Sequence, residues 1–484
     1  MLCGFWTLVA CGQPSSGALV DVVASSDEPA SAPLGAAVAS ERDVTDADLT
    51  LVGGSPDDFA GAAVELMDFD ADGQDDMLVG APQDTWAGNR GGFHVLLGPA
   101  PSGHLSLSHA DDHLLGSRAG DLAGSTLLAV GDTDGDGFDD LLVGAPGASG
   151  VEHDAGAAHL LLAGEPLTES SLSLAAATIE GTIADQRVGE SIGGGGDLNA
   201  DGYSDLVIAC ANDQTYGSYV GTVWLFFGGP AVTAQTLDAA DVVLWGPEED
   251  WSATGESLDI VGDVDGDGFD DLVVGTRGVE PSGAAQLVLG HEALEDGSLS
   301  DVAAAVYAGD EEDNRSVGYG VRGAGDVTGD GYDDFLVGDP SGNLTGANLG
   351  LDGFVALVMG ADSPASAEIR DLPDRFGAET GSSFGMGTAA GTDMDGDGWP
   401  DVVVVDANAG DTFIYWSNPG ESPGVRSAAD VVVRGDDDDA AGRALSTSGD
   451  VNGDGRADLL IGGYLWDEGG TNAGGAWLHL GGEW

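Results

Sequence analysis

The sequence predicts an all-β protein: one seven-bladed β-propeller of four-stranded blades, its ring closed by an N-terminal strand pairing with the last blade. Three observations carry this. A nine-residue acidic pattern, D-x-[D/N/T]-x-D-G-x-x-D, occurs seven times, starting at Asp68, Asp132, Asp197, Asp263, Asp326, Asp393 and Asp450. The intervals are 64, 65, 66, 63, 67 and 57 residues, and each holds four short strand-like runs separated by Gly, Asp and Pro. The text that ends each repeat also opens the first one, ahead of any acidic loop.

Each repeat unit reads alike. In the second, Ser125 to Val130 leads into the acidic stretch and Leu141-Leu142-Val143 leaves it. Gly156 to Leu162 and Ala176 to Gly181 complete the unit. Four strands in about 64 residues, seven times over, match the blades of a propeller. The outer-strand text Asp238 to Gly246 and Ala428 to Gly435 has a counterpart at Asp46 to Gly53. The chain stops after a third strand, Gly475 to Leu480, so the segment at Asp46 to Gly53 is expected to supply the missing outer strand. That closure hides two open sheet edges.

The acidic stretch has the spacing of a metal loop. Side chains at positions 1, 3 and 5 of a tight loop point inward, Gly at position 6 permits a positive φ, and Asp at position 9 closes an oxygen shell. The first half resembles an EF-hand loop, but no Glu follows at position 12 and no helix follows the loop. The expected Ca²⁺ ligands, up to seven ions in all, are these. Loop 1 has Asp68, Asp70, Asp72 and Asp76; loop 2 has Asp132, Asp134, Asp136 and Asp140. Loop 3 has Asp197, Asn199, Asp201 and Asp205; loop 4 has Asp263, Asp265, Asp267 and Asp271. Loop 5 has Asp326, Thr328, Asp330 and Asp334; loop 6 has Asp393, Asp395, Asp397 and Asp401. Loop 7 has Asp450, Asn452, Asp454 and Asp458. Thr328 makes loop 5 the weakest of these sites, and Asn199 and Asn452 weaken loops 3 and 7 mildly.

Charge narrows the partners. The 484 residues carry a formal charge of −72 from 85 acids and 13 bases, all of them Arg. Such a field excludes nucleic acid and simple adsorption to an anionic membrane. Three cysteines rule out a disulfide scaffold. Cys210 lies in an apolar run and reads as a buried thiol.

Domain organisation follows from composition. Residues 1–11 form an apolar start ending in Leu8-Val9-Ala10-Cys11, which resembles a lipobox with Cys11 as the lipidated residue. An ordinary secretory signal is the other reading. Gly12 after the cysteine favours sorting to an outer membrane. Residues 12–44 are Ser-, Ala- and Pro-rich and read as a flexible linker. Residues 45–484 are the propeller, expected to be monomeric, to face the outside of the cell, and to touch a membrane only through Cys11.

No catalytic residue is expected. Two G-x-S-x-G matches, Gly189 to Gly193 and Gly381 to Gly385, lack the strand–turn–helix context of a nucleophile elbow. His94, His159 and His479 fall in third strands and read as structural, whereas His104, His109 and His113 cluster in one connection where a metal could sit. Arg434-Gly435-Asp436 is an RGD tripeptide expected by chance in so Gly- and Asp-rich a chain. No asymmetry among the repeats singles out a catalytic pocket.

Residues 46–484 resemble the FG-GAP repeat family, whose best-known members are the integrin α-subunit propellers. The FG slot is literal at Phe384-Gly385 and degenerate at Val188-Gly189 and Val317-Gly318; the GAP is literal at Gly80-Ala81-Pro82 and Gly144-Ala145-Pro146. The resemblance implies Ca²⁺ in the loop between the first two strands of a blade, and a propeller that mediates adhesion or recognises an unknown protein or glycan. A propeller enzyme acting on polysaccharide (a lyase or hydrolase) and a purely structural envelope protein are the alternatives.

Overall fold

A computed structural model describes residues 40–484, apart from 85–87, 150–151, 165–170, 234, 248–250, 310–315, 344–351, 378–382, 418–424, 427–428, 436–438 and 483. Seven sheets follow one another, each with four antiparallel strands, as the repeat predicts. Blade 2 is typical: Thr126–Ala129, Leu141–Ala145, Ala157–Leu161 and Ala177–Glu180 pair in sequence order. The described residues contain no helix longer than the single turn Leu299–Val302, and none is long and apolar enough to cross a membrane.

The second strands are unbroken apolar runs because both of their faces are buried. Leu141 and Val143 pack towards blade 1, while Leu142 packs towards blade 3. Alternation therefore appears between interfaces rather than between core and solvent. Seven hydrophobic clusters result, one at each blade junction, and the junction of blades 7 and 1 joins Leu460 and Leu478 to Val64 and Met77.

Glycine of the FG slot permits the close stacking of blades. Gly124 has φ +78°, and a Cβ there would stand 2.1 Å from the Gly92 carbonyl oxygen. Only a residue without a side chain fits.

The ring closes as the sequence predicts. Leu49–Val52 pairs antiparallel with the last strand, Leu49 opposite Leu478 and Val52 opposite Gly475. A second closure was not foreseen. Residues 40–43, placed in the linker by composition, form a strand (Ser40–Asp43) parallel to Val431–Arg434 of blade 6. The same device recurs around the ring: the segment before an outer strand pairs in parallel with the outer strand of the preceding blade, as Gly103–Ser106 does with Leu49–Val52. A buried residue at the start of the following turn anchors it, as with Leu107, Leu237 and Leu299. Six of the seven described sheets carry such a fifth strand, and at blade 1 a parallel bridge between Leu115 and Ser171 marks the same place; covered edges suppress edge-to-edge association. Cys11 and the rest of the expected leader lie outside the described residues.

Candidate metal centre

All seven acidic loops join the first strand of a blade to its second, at one end of the central channel. Loop 2 shows the local logic. Asp132 accepts hydrogen bonds from Gly135 N (2.7 Å) and Asp136 N (3.0 Å) on one oxygen and from Gly137 N (2.9 Å) on the other. Asp134 accepts from Asp136 N at 3.1 Å, and Asp136 accepts from Phe138 N at 3.0 Å. Each carboxylate is thus held by the backbone of its own loop, with lone pairs to spare. Position 6 is glycine for a conformational reason: φ there runs from +88° at Gly455 to +96° at Gly137, a region that side chains disfavour.

Position 9 is the deepest ligand. Asp271 accepts from Val264 N and Gly290 N, both at 2.9 Å, which ties the loop to the end of the third strand. Burial pushes these carboxyls up: to about 6 for Asp76, Asp140 and Asp458, and to about 7 for Asp205, Asp271, Asp334 and Asp401. Desolvation is the main cause and neighbouring carboxylates add to it. A cation removes both penalties, so the donor set fits one.

The structure brings ligand atoms within 4.8 Å of one another in four loops: Asp68, Asp70 and Asp76; Asp132, Asp134 and Asp136; Asp263, Asp265 and Asp271; Asp393, Asp395 and Asp401. All four have Asp at position 3. In loop 2 the group is Asp132, Asp134 and Asp136, and Asp140 accepts an additional hydrogen bond from the Thr133 hydroxyl. The loops lacking that Asp partly satisfy themselves: Asn199 Nδ2 donates to Asp201 at 3.1 Å and Asn452 Nδ2 to Asp454 at 3.2 Å. In loop 5 the Thr328 hydroxyl oxygen is buried without a hydrogen-bond partner, which is where a third oxygen ligand would point.

Position 8 was missed from sequence. Asp75, Asp270 and Asp333 each reach the preceding blade and accept from its position-1 amide, at 2.6 Å (Asp450 N), 2.7 Å (Asp197 N) and 2.9 Å (Asp263 N). Loop 1 is thereby hydrogen-bonded to loop 7, and loops 3, 4 and 5 to one another. The repeated Asp-Asp at positions 8 and 9 was the available signal.

The channel corrects a second expectation, that of symmetry. First-strand residues paired with the second strand at one common level are Glu65, Gly193, Asp259, Arg322, Ala389 and Ser446, with Leu128 in blade 2. Glu65 is buried and accepts from the Ser446 and Ser448 hydroxyls at 2.8 and 2.7 Å; Asp259 accepts from Gly323 N at 2.9 Å and faces Arg322 at 3.6 Å. Burial pushes both carboxyls up. Together they border a cavity of about 360 Å³ at the loop end.

Other sequence candidates separate. His94, His159 and His479 are buried, and burial lowers each to about 4, so they are neutral wall residues. His104 lies near Glu468 (3.9 Å), His109 contacts Ser108, and His113 faces His94, so these three address different neighbours. Cys210 is buried and free. Arg434 pairs with Glu41 and Asp411, and Asp436 lies outside the described residues.

Comparison with known proteins agrees with this architecture. The FG-GAP repeat matches residues 123–161 and 254–288, and the FG-GAP-like repeat matches 393–461. Integrin alpha-PS2 of Drosophila melanogaster is 31% identical over 228 residues, 45% of this chain and 15% of its own length. Integrin alpha-IIb of Homo sapiens is 31% identical over 232 residues, covering 46% and 20%, and integrin alpha-5 of Xenopus laevis is 28% identical over 236 residues with the same coverage. The chain thus matches a fifth or less of the length of these relatives. It carries FG-GAP repeats and is a homologue of the integrin α subunits.

Proposed function

We propose that this protein is a non-enzymatic binding or adhesion module, displayed outside the cell, whose blades are stabilised by Ca²⁺. The observation that supports this most is the convergence of carboxylates on one point in loop after loop, each side chain pre-oriented by backbone amides. In this reading Asp263, Asp265, Asp267 and Asp271 hold the ion in loop 4, and the equivalent residues of the other six loops do the same. An all-oxygen, carboxylate-rich shell of adaptable geometry suits Ca²⁺ better than Mg²⁺. The cation's contribution is to neutralise the loop and fix its shape; no chemical step passes through it.

Residues 1–11 would direct export and Cys11 would carry a lipid anchor, with the following residues as the tether. Kinship with integrin α subunits supports a protein or glycan as the bound partner. The polar level around Glu65 and Arg322 keeps a propeller enzyme as the second reading.

The test is an array of polysaccharides and extracellular matrix proteins probed with the full chain, in Ca²⁺ and in chelator. Retention on a defined ligand that is lost in chelator is expected. Retention indifferent to chelator, or cleavage of an arrayed polysaccharide, would contradict the proposal.

A further inference from the structure

The channel end away from the acidic loops carries one residue per blade, the residue after the left-handed glycine of the FG slot. Blades 1 and 2 place Ala62 and Ser125 there, and blades 3 and 4 place the acids Glu190 and Glu256. Blades 5, 6 and 7 place Tyr319, Met386 and Arg443. The side of blades 5 to 7 is therefore aromatic, thioether and cationic, and it borders a cavity of about 400 Å³, a size suited to a small ligand.

The charges at this mouth are not balanced. Glu190 pairs with Arg187 at 2.9 Å and Glu256 with Arg277 at 2.7 Å. Arg443 has no carboxylate partner among the described residues; its contact is the Tyr464 hydroxyl at 3.4 Å. Arg322 borders the same cavity from the channel waist, with Asp259 at 3.6 Å and the buried Glu65 as its acidic neighbours. Five N–H donors on each guanidinium exceed what these contacts use. Two of the 13 cationic side chains of a −72 chain thus line one cavity, with Glu256, itself paired to Arg277, as the acid there. The Arg277 guanidinium lies 5.5 Å from the Tyr319 ring centroid and holds that ring in place.

We propose that this cavity binds a ring-bearing organic carboxylate, its charged group held by Arg443 and Arg322 and its ring packed on Tyr319 and Met386. A flat aromatic and a soft thioether suit a ring, and guanidinium matches carboxylate geometry. The overall negative field repels multiply charged anions most strongly, which favours a single carboxylate on an uncharged body. Such a group is found on uronic acids and on aromatic acids. The site does not depend on the cation reading, and its failure would leave that reading intact.

The test is calorimetric titration of the full chain, in Ca²⁺, with galacturonate and with benzoate, each beside its neutral counterpart, galactose or benzamide. One-to-one binding of at least one acid is expected, with its neutral counterpart about ten-fold weaker or more. Arg443→Gln should weaken the acid about ten-fold. That side chain is exposed, so unchanged thermal unfolding will show that the fold survives. Arg118→Gln, on a residue that contacts Ser149 away from the channel, should leave affinity unchanged. Preference for galacturonate would identify a saccharide source, and preference for benzoate an aromatic one. Absence of binding by both acids at millimolar concentration, equal binding of the neutral partners, or affinity indifferent to Arg443→Gln would overturn the proposal.

Discussion

The two ends of the channel were built by opposite rules. At the loop end the same nine-residue text recurs seven times, with the same glycine at positive φ and the same buried position-9 carboxylate. At the slot end the equivalent residues run through alanine, serine, glutamate, tyrosine, methionine and arginine. A part that every blade needs for its own shape is repeated. A part that only one ligand needs in one place is free to diverge. Sameness around a ring therefore points to scaffold and difference points to recognition.

Substitutions should sort by end. The largest effect belongs to Asp271→Ala, which strips the acceptor from two buried amides; a loss of about 4 kcal/mol is expected by chemical unfolding in Ca²⁺. Leu51→Ala, in the strand that closes the ring and fully buried, should cost about 3 kcal/mol. A cost near zero would mean that the closing strand is dispensable. Tyr319→Ala at the slot end should leave stability within about 0.5 kcal/mol while altering ligand affinity. If it unfolds the protein instead, the division between ends fails.

Acidity gives a sign rather than a size. Without metal the position-9 carboxyls titrate at about 6 to 7 in the folded chain, above the ordinary 3.8. The folded state then binds more protons than the unfolded state between about pH 4 and 7. Metal-free stability should fall as pH rises through that window, and Ca²⁺, by favouring the ionised form, should flatten or reverse the slope. A metal-free melting temperature that climbs with pH would contradict this. A small gain is expected from Ala200→Gly: Ala200 sits at φ +55°, and relieving it should add about 0.5 to 1 kcal/mol.

Much of this was legible in the sequence because a repeat reports itself. Loop ligands such as Asp132 and Asp140, the blade strands and the antiparallel closure by Leu49–Val52 follow from text that recurs or rhymes across the chain. Features that depend on contacts between blades were not visible. The bridge from Asp270 to the amide of Asp197 spans 73 residues. The common level of Glu65, Asp259 and Arg322 is hidden because bulges shift the register, as between Thr254 and Leu258. Ser40–Asp43 is too short and too polar to announce itself as a strand.

The most direct test of the central claim is thermal unfolding of the full chain, stripped of metal and then titrated with Ca²⁺ and separately with Mg²⁺. At ten times a millimolar-range Kd each loop would add about 1.4 kcal/mol, and seven loops about 10 kcal/mol. A large rise in melting temperature with Ca²⁺ and little with Mg²⁺ is the predicted result. An unfolding curve indifferent to Ca²⁺ would show that the seven loops are ordinary acidic turns.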